Sequence, residues 1–339
     1  MSDLDHPESL RVMVLGPREI RQAEDGGRRL AAGVGFSARD CDEIALAVAE
    51  LGSNLLKHAY RGQLLLEVTE MAGRRGLRVA SLDEGPGFVD FEGATADGYS
   101  SAGTLGNGLG AVNRLMDELE YQALPGGGSK IICCRWLRTE RRGRSPVLDV
   151  GAASRPYRQL PENGDAYIVQ EWGHHSLVGV IDGLGHGRFA QRAAQAARDY
   201  VERHYDQPLE AIFRGVGRTC QATRGVVMSL ARFDHEHKRF ACANIGNVEL
   251  RVHGCAPPIR FLMRRGVVGQ KCPAPKAEEH PWTQSMTLVM HSDGLRRQWD
   301  WNDFPQLWTE RPSYIAQCLL TELGRTDDDA TVVVVRNRS

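Results

Sequence analysis

Leu177-Val178-Gly179-Val180-Ile181-Asp182-Gly183-Leu184-Gly185-His186-Gly187 is the stretch that decides how the second half of this chain folds. A short apolar run bounded by a turn reads as a buried strand. Asp182 then stands at the strand end, where a site can be built, and a helical pattern follows from Phe189 to His204. The arrangement recurs further along. Asp293-Gly294 follows the apolar run Thr287 to Ser292, and Asp327-Asp328-Asp329 precedes the strand-like run Thr331 to Val335. Taken singly, each acidic cluster is a turn or a helix cap. Gathered together they would repel one another unless a cation neutralised them. Oxygen donors of this kind suit Mg²⁺ or Mn²⁺ and argue against zinc.

Working outward, Ala166 to Gln170, Val226 to Phe233, Phe240 to Ala243 and Val248 to Val252 also read as strands. Helical patterns at Leu209 to Cys220 and Tyr314 to Leu323 interrupt them, which predicts an α+β packing of this half. Upstream, Ser37 and Asp40 form a capping signal before Ile44, Val48, Leu51 and Leu55, predicting a helix from about Ser37 to Tyr60. Strands are expected at Leu64 to Thr69, Leu77 to Leu82 and Ser129 to Leu137, and a helical run at Ala111 to Leu119. Between the halves lies a polar, basic stretch, Arg138 to Arg144, followed by Ser145 and Pro146. It is the candidate boundary, and a solvated linker suits it better than a nucleic-acid arm because it has no aromatic residue.

Composition narrows the function classes. The chain has 339 residues, 42% of them hydrophobic, which is material for two ordinary cores. Lys plus Arg (42) and Asp plus Glu (43) nearly cancel, so no global field favours nucleic acid or an anionic membrane. The eight Cys show no CxxC pair and read as reduced, buried hydrophobes. Neither a signal peptide nor an apolar run of membrane-spanning length is found, and a cytoplasmic protein is expected.

The first half carries three motifs in order. Glu50 and Asn54 share one helix face, with His58 one turn on. A carboxylate beside an amide oxygen is useful where Mg²⁺ and phosphates approach. Asp83-Glu84-Gly85-Pro86-Gly87-Phe88 follows an apolar strand, and Gly103-Thr104-Leu105-Gly106-Asn107-Gly108-Leu109-Gly110 leads into a helix, where backbone N–H groups meet phosphates. This set resembles the GHKL superfamily of ATPases. Gly98 to Gly103 and Asn113-Arg114-Leu115-Met116-Asp117-Glu118 are similar to the RsbT-like switch kinases among the anti-sigma serine kinases. The resemblance covers about Leu10 to Leu137. It implies ATP with Mg²⁺ as cofactor, Glu50 as catalytic base, Asn54 as Mg²⁺ ligand and Asp83 as adenine contact. Gly85 and Gly87 would let the base approach, and Gly106, Gly108 and Gly110 would form the phosphate lid.

In the second half, DGLGHG, SDG and DDDAT together resemble the PPM-type serine/threonine phosphatases, in the branch of the SpoIIE-like and RsbX-like enzymes, over about Gly164 to Arg336. The resemblance implies two Mn²⁺ or Mg²⁺ ions and direct hydrolysis without a phosphoenzyme. Asp182 would bridge the ions, Gly183 would offer its carbonyl, and Asp293 and Asp328 would complete the ligands, with Asp165 acting through water. His186 is either the acid that protonates the leaving serine oxygen or a structural residue beside a glycine turn. Arg224 is either a phosphate contact or a surface arginine. His174 and His175 are read as solvent-exposed turn residues.

Together the resemblances imply an α+β, two-domain protein: an N-terminal GHKL (Bergerat) α/β sandwich over residues 8–138, a linker over 139–149, and a C-terminal PPM-phosphatase β-sandwich flanked by helices over 150–337. The implied function is a bifunctional bacterial stress or sigma-factor switch. It would dephosphorylate phosphoserine or phosphothreonine on a STAS-domain anti-sigma-antagonist or stressosome-type partner, and bind ATP with serine kinase activity. The alternative is a phosphatase whose N-terminal domain only senses ATP or sequesters the partner. No nucleic acid or membrane partner is expected.

Overall fold

Alternating apolar residues build the first sheet. In the computed structural model, which describes residues 9–58, 62–71, 74–85, 87, 108–124, 127–138 and 147–338, Leu64 and Leu66 lie opposite Ser81 and Val79 on the neighbouring strand. The leucines, Leu77 and Val79 are fully buried against helices, as the pleat dictates. The chain divides into two units, Met1–Arg138 and Thr139–Ser339.

The first unit runs β1 (Ser9–Val14), α1 (Pro17–Val34), α2 (Ala38–His58), β2 (Gly62–Met71), β3 (Arg74–Asp83), α3 (Gly108–Leu115), β4 (Glu118–Ala123) and β5 (Ser129–Trp136). Its strands form one antiparallel sheet in the order β1-β2-β3-β5-β4. α2 starts as the capping signal requires. The Ser37 hydroxyl accepts the Asp40 N–H at 3.2 Å and donates to the Asp40 carboxylate at 2.6 Å. Tyr60, the expected helix end, lies outside the described residues. The run expected to be helical to Leu119 stops at Leu115 instead. The Asp117 N–H donates to the Cys134 carbonyl at 2.8 Å and Glu118 begins pairing with β5, so strand pairing takes over from the helix.

The second unit contains β6 (Leu148–Arg155), β7 (Asp165–Trp172), β8 (His175–Gly183), α4 (Arg188–His204), α5 (Leu209–Thr219), β9 (Val226–Asp234), β10 (Arg239–Ile245), β11 (Glu249–His253), β12 (Glu278–Pro281), β13 (Thr287–His291), α6 (Pro312–Leu323) and β14 (Ala330–Asn337). One sheet has the order β12-β10-β9-β8-β7 and the other β11-β13-β14-β6. Leu148 and Asp149, within the range expected as linker, already pair with Asn337 and Arg336.

The central strands β8, β9, β13 and β14 are buried on both faces, which explains their continuous apolar runs. On β8, Val178 and Val180 join Leu288, Met290, Val333 and Val335 in the core between the sheets. Leu177 and Ile181 point the other way, against Ala193, Ala197 and Phe213 of α4 and α5. On β14, Val332 and Val334 meet Ile315 and Leu319 of α6. The result is a β-sandwich with helices on its two outer faces. Among the described residues no helix is long and apolar enough to cross a membrane.

The centre of the sandwich sets a stability test. The Phe233 ring is fully buried, 5.7 Å from Phe240 and 4.8 Å from Trp282. Phe233→Ala is expected to lower the unfolding free energy of this unit by about 3–5 kcal/mol through lost burial and a cavity. Urea unfolding followed by circular dichroism checks this. A loss below about 1 kcal/mol would contradict the packing.

Candidate functional site

In the first unit, α2 presents Glu50 and Asn54 on the face that meets the start of α3. A methyl group placed on Gly108 would lie 3.2 Å from the Glu50 Oε2 and 3.2 Å from the Asn54 Oδ1. The structure therefore brings the pair together with Gly108 of the glycine motif. Any larger residue at the first position of α3 would crowd both side chains. His58 is exposed, and Gly106 lies outside the described residues, whereas Gly110 is buried within α3.

Asp83 stands at the end of β3. Its Oδ1 accepts the Gly85 N–H at 2.7 Å, and its Oδ2 accepts a hydrogen bond from the Ser129 hydroxyl. A carboxylate with further lone pairs remains able to accept from a ligand amine. Gly87 has a positive φ of 74°, which glycine adopts without strain. Ser129 is expected only as the start of a strand and not as a site residue, although its place directly after Gly126-Gly127-Gly128 is a usable signal; the structure sets it opposite Asp83.

Arg135 locks this arrangement from beneath. It is 4% exposed, and it donates to the Leu115 carbonyl at 2.8 Å, to Asp40 at 2.5 Å and to Glu43 at 2.9 Å. Burial raises the Asp40 pKa, but hydrogen bonds from Ser37 and Arg135 outweigh it and hold this carboxyl below its ordinary value. The same guanidinium thus ties the end of α3 to the start of α2.

In the second unit the two Asp-Gly pairs are shaped by close approaches. A methyl group on Gly183 would lie 2.2 Å from the Ala190 carbonyl oxygen, and one on Gly294 would lie 1.9 Å from that of Asp329. Only glycine fits either place. Asp165 lies opposite Asp182 across β7 and β8. The Ser292 hydroxyl donates to the Asp165 Oδ2 at 2.6 Å and accepts the Thr331 N–H at 3.0 Å. Asn247 donates to Asp293 at 2.5 Å, and the Tyr157 N–H donates to the Asp329 Oδ1 at 2.8 Å. Ser292 and Asp329 belong to the SDG and DDDAT motifs, which assign them no role of their own, and nothing in the sequence points to Asn247 or Tyr157.

The carboxylates interact strongly. Asp182 remains partly accessible, yet enough protein surrounds its carboxyl to raise its pKa well above normal, and the charges of Asp165, Asp293 and Asp328 raise it further. Burial pushes Asp165 up to about 7, with Asp329 and Asp328 adding to the rise and Ser292 and Thr331 opposing it. Asp328 is raised by burial and by Asp293. In addition, the Asp329 Oδ2 is buried without a hydrogen-bond partner among the described residues.

A set of crowded, oxygen-only donors fits a hard divalent cation. Among the described residues no group of three or more His, Cys, Asp or Glu side chains is closed around one point. Mg²⁺ does not need such a cage, because it usually keeps several waters and takes one or two carboxylates.

His186 is exposed and stacks on Tyr157, with ring centroids 4.3 Å apart. Arg224 lies over the same loop, its Nη1 2.9 Å from where a side chain on Gly185 would begin. His174 is exposed as expected, but His175 is not: it is half-buried beside Trp172, and burial lowers its pKa.

Comparison with known proteins follows the same division. Residues 14–136 match the family model described as the histidine kinase-like ATPase domain. The chain is 36% identical over 127 residues to the serine/threonine-protein kinase RsbT of Bacillus subtilis (strain 168), covering 38% of this chain and 96% of that protein. It is 24% identical over 133 residues to the phosphoserine phosphatase RsbX of the same organism, covering 39% of this chain and 67% of RsbX. A solved structure from work on the bacterial stressosome as a modular system adapted to control secondary messenger signalling is similar with a TM-score of 0.53 and 27% identity, covering 56% of this chain and 99% of that one. With its N-terminal histidine kinase-like ATPase domain, the chain belongs to the family of the serine/threonine-protein kinase RsbT, fused to a region similar to RsbX-type phosphatases.

Proposed function

We propose that this chain is a bifunctional cytoplasmic switch that phosphorylates, and removes phosphate from, a STAS-type signalling partner. The observation that carries the hydrolytic half is the placing of Asp165, Asp182, Asp293 and Asp328 at the strand ends of two sheets, where burial and neighbouring charge raise the pKa values of Asp165, Asp182 and Asp328 and a cation would relieve them. Asp182, the Gly183 carbonyl, Asp293 and Asp328 would hold two Mn²⁺ or Mg²⁺ ions. Such ions, when bound, polarise phosphoryl oxygens and make water a nucleophile at neutral pH. The protein's own part is to keep the carboxylates in place through Ser292 and Asn247. His186, at the rim, is the candidate donor of a proton to the leaving serine oxygen.

In the first unit, Asp83 held by Ser129 would accept the adenine amine, Asn54 would ligate Mg²⁺, and the start of α3 at Gly108 would face the phosphates. Glu50 would take the proton from the target hydroxyl. The nearness of Gly108 to both Glu50 and Asn54 supports this assignment. If both activities met on one residue, ATP would be hydrolysed without signal. Reciprocal control or two target residues are therefore part of the proposal.

Mn²⁺ or Mg²⁺ is expected to support hydrolysis of a phosphoserine substrate, and Asp182→Asn or Asp293→Asn to reduce kcat by about a hundredfold or more. Steady-state kinetics with and without a chelator check this; full activity in the chelator would remove the metal assignment.

For the first unit, Ser129→Ala should weaken ATP binding by about tenfold through lost orientation of Asp83, and Asn54→Ala should abolish only the Mg²⁺-dependent part. Calorimetry with and without Mg²⁺ separates the two, and equal affinities for Ser129→Ala and the unaltered chain would refute the role of Ser129.

A pH dependence also follows. Asp165 binds its proton more tightly folded than unfolded, because its folded pKa is about 7 against an ordinary 3.8. The folded state therefore holds more protons between these values, and metal-free stability should fall as pH rises from about 4 to about 7. Asp165→Asn should flatten that slope in thermal unfolding under chelator. Mn²⁺ binding should tighten with rising pH, since the carboxyls must lose protons.

A further inference from the structure

Arg188 and Arg224 both lie over one aromatic ring. Their guanidinium carbons lie 4.8 Å and 5.0 Å from the centroid of Phe189. Phe189 is 49% exposed in the first turn of α4, whereas Ala190, Ala193, Ala194 and Ala197 of the same helix are buried. The ring thus contributes little to the core, and it stands only a few residues beyond Asp182.

Arg224 is fixed at its backbone. Its carbonyl accepts from the Gln270 side chain at 3.0 Å, and the next carbonyl, of Gly225, accepts the Leu184 N–H at 3.1 Å. The turn that carries Arg224 is thereby bound to the loop that follows Asp182. Among the described residues, neither Arg188 nor Arg224 forms an ion pair with a carboxylate. Guanidiniums held over a ring can still offer N–H groups to carboxylate or phosphate oxygens, while the exposed ring beside them offers apolar surface.

We infer that Phe189, Arg188 and Arg224 are the docking element for the phosphoprotein substrate, and that the segment it takes carries an apolar residue and acidic residues beside the phosphoserine. The inference rests on the phosphatase assignment and adds a substrate class to it. A nucleic acid suits the surface poorly, since two cations beside a carboxylate cluster would bind few phosphates of a polyanion and repel the rest.

The test uses the full chain with Mn²⁺ and three substrates: a phosphoserine peptide with flanking Leu and Glu residues, the same peptide with Gln for Glu, and p-nitrophenyl phosphate. The unaltered protein should prefer the acidic peptide. Phe189→Ala and the double substitution Arg188→Ala/Arg224→Ala should each raise KM for it by about tenfold, and the double substitution should erase the preference over the Gln peptide. For Phe189→Ala, losses on p-nitrophenyl phosphate should be much smaller. Arg188→Lys/Arg224→Lys, which keeps both charges, should retain part of the preference. If p-nitrophenyl phosphate is hydrolysed but the acidic peptide is not preferred, or the variants keep the preference, the docking element is refuted and the phosphatase assignment stands. If no substrate is hydrolysed, both fall. Inhibition by a single-stranded oligonucleotide that the same substitutions relieve would overturn the assignment to a protein segment.

Discussion

Four carboxyl groups, Asp165, Asp182, Asp293 and Asp328, are held close together in a partly dry place, and like charges there oppose folding. The second unit is built so that this opposition is overcome. Asp165 and Asp182 come from one sheet, while Asp293 and Asp328 flank strands of the other, so only the face-to-face packing of the two sheets gathers them. The apolar core between the sheets supplies the drive, and hydrogen bonds from Ser292 and Asn247 keep the side chains from turning away. A cation bound among them would turn the same crowding from a cost into an affinity.

The first unit solves a related problem with the opposite sign. Arg135 is a buried cation that would be costly alone, and it is satisfied by Asp40, Glu43 and Asp117 together with a helix-end carbonyl. Because its partners sit on α2 and at the end of α3, satisfying one charge sets the distance between those helices. That distance places Gly108 against Glu50 and Asn54. In both units, then, polar groups within or beside the core fix the geometry at which small-molecule chemistry would occur, and the apolar residues supply the stability.

Much of this was legible in the sequence because the signals are local. The alternation of β2 and β3, the stripe of α2 and the apolar runs of β8, β9, β13 and β14 follow from side-chain periodicity, and the structure places all of them. Other elements were missed for identifiable reasons. α1 carries Gly26-Gly27 in its middle and has weak propensity, yet those glycines let it lie against Leu10 and Leu66, so packing overrides propensity. The first two residues of β4, Glu118 and Leu119, read as the end of a helix because nothing local announces their pairing with β5.

The sequence by itself determined which residues can bear chemistry: the aspartates at strand ends, the Glu50 and Asn54 pair and the glycines before α3, since composition and spacing follow from local geometry. Only the tertiary structure decided which of these meet and what supports them. Ser129 reaches Asp83 across 46 positions, Ser292 reaches Asp165 across 127, and Arg224 comes to lie over Phe189 from a separate turn. Contacts between residues so far apart in the chain depend on how sheets pair and pack, and that is settled by the burial of whole faces and not by any short stretch of residues.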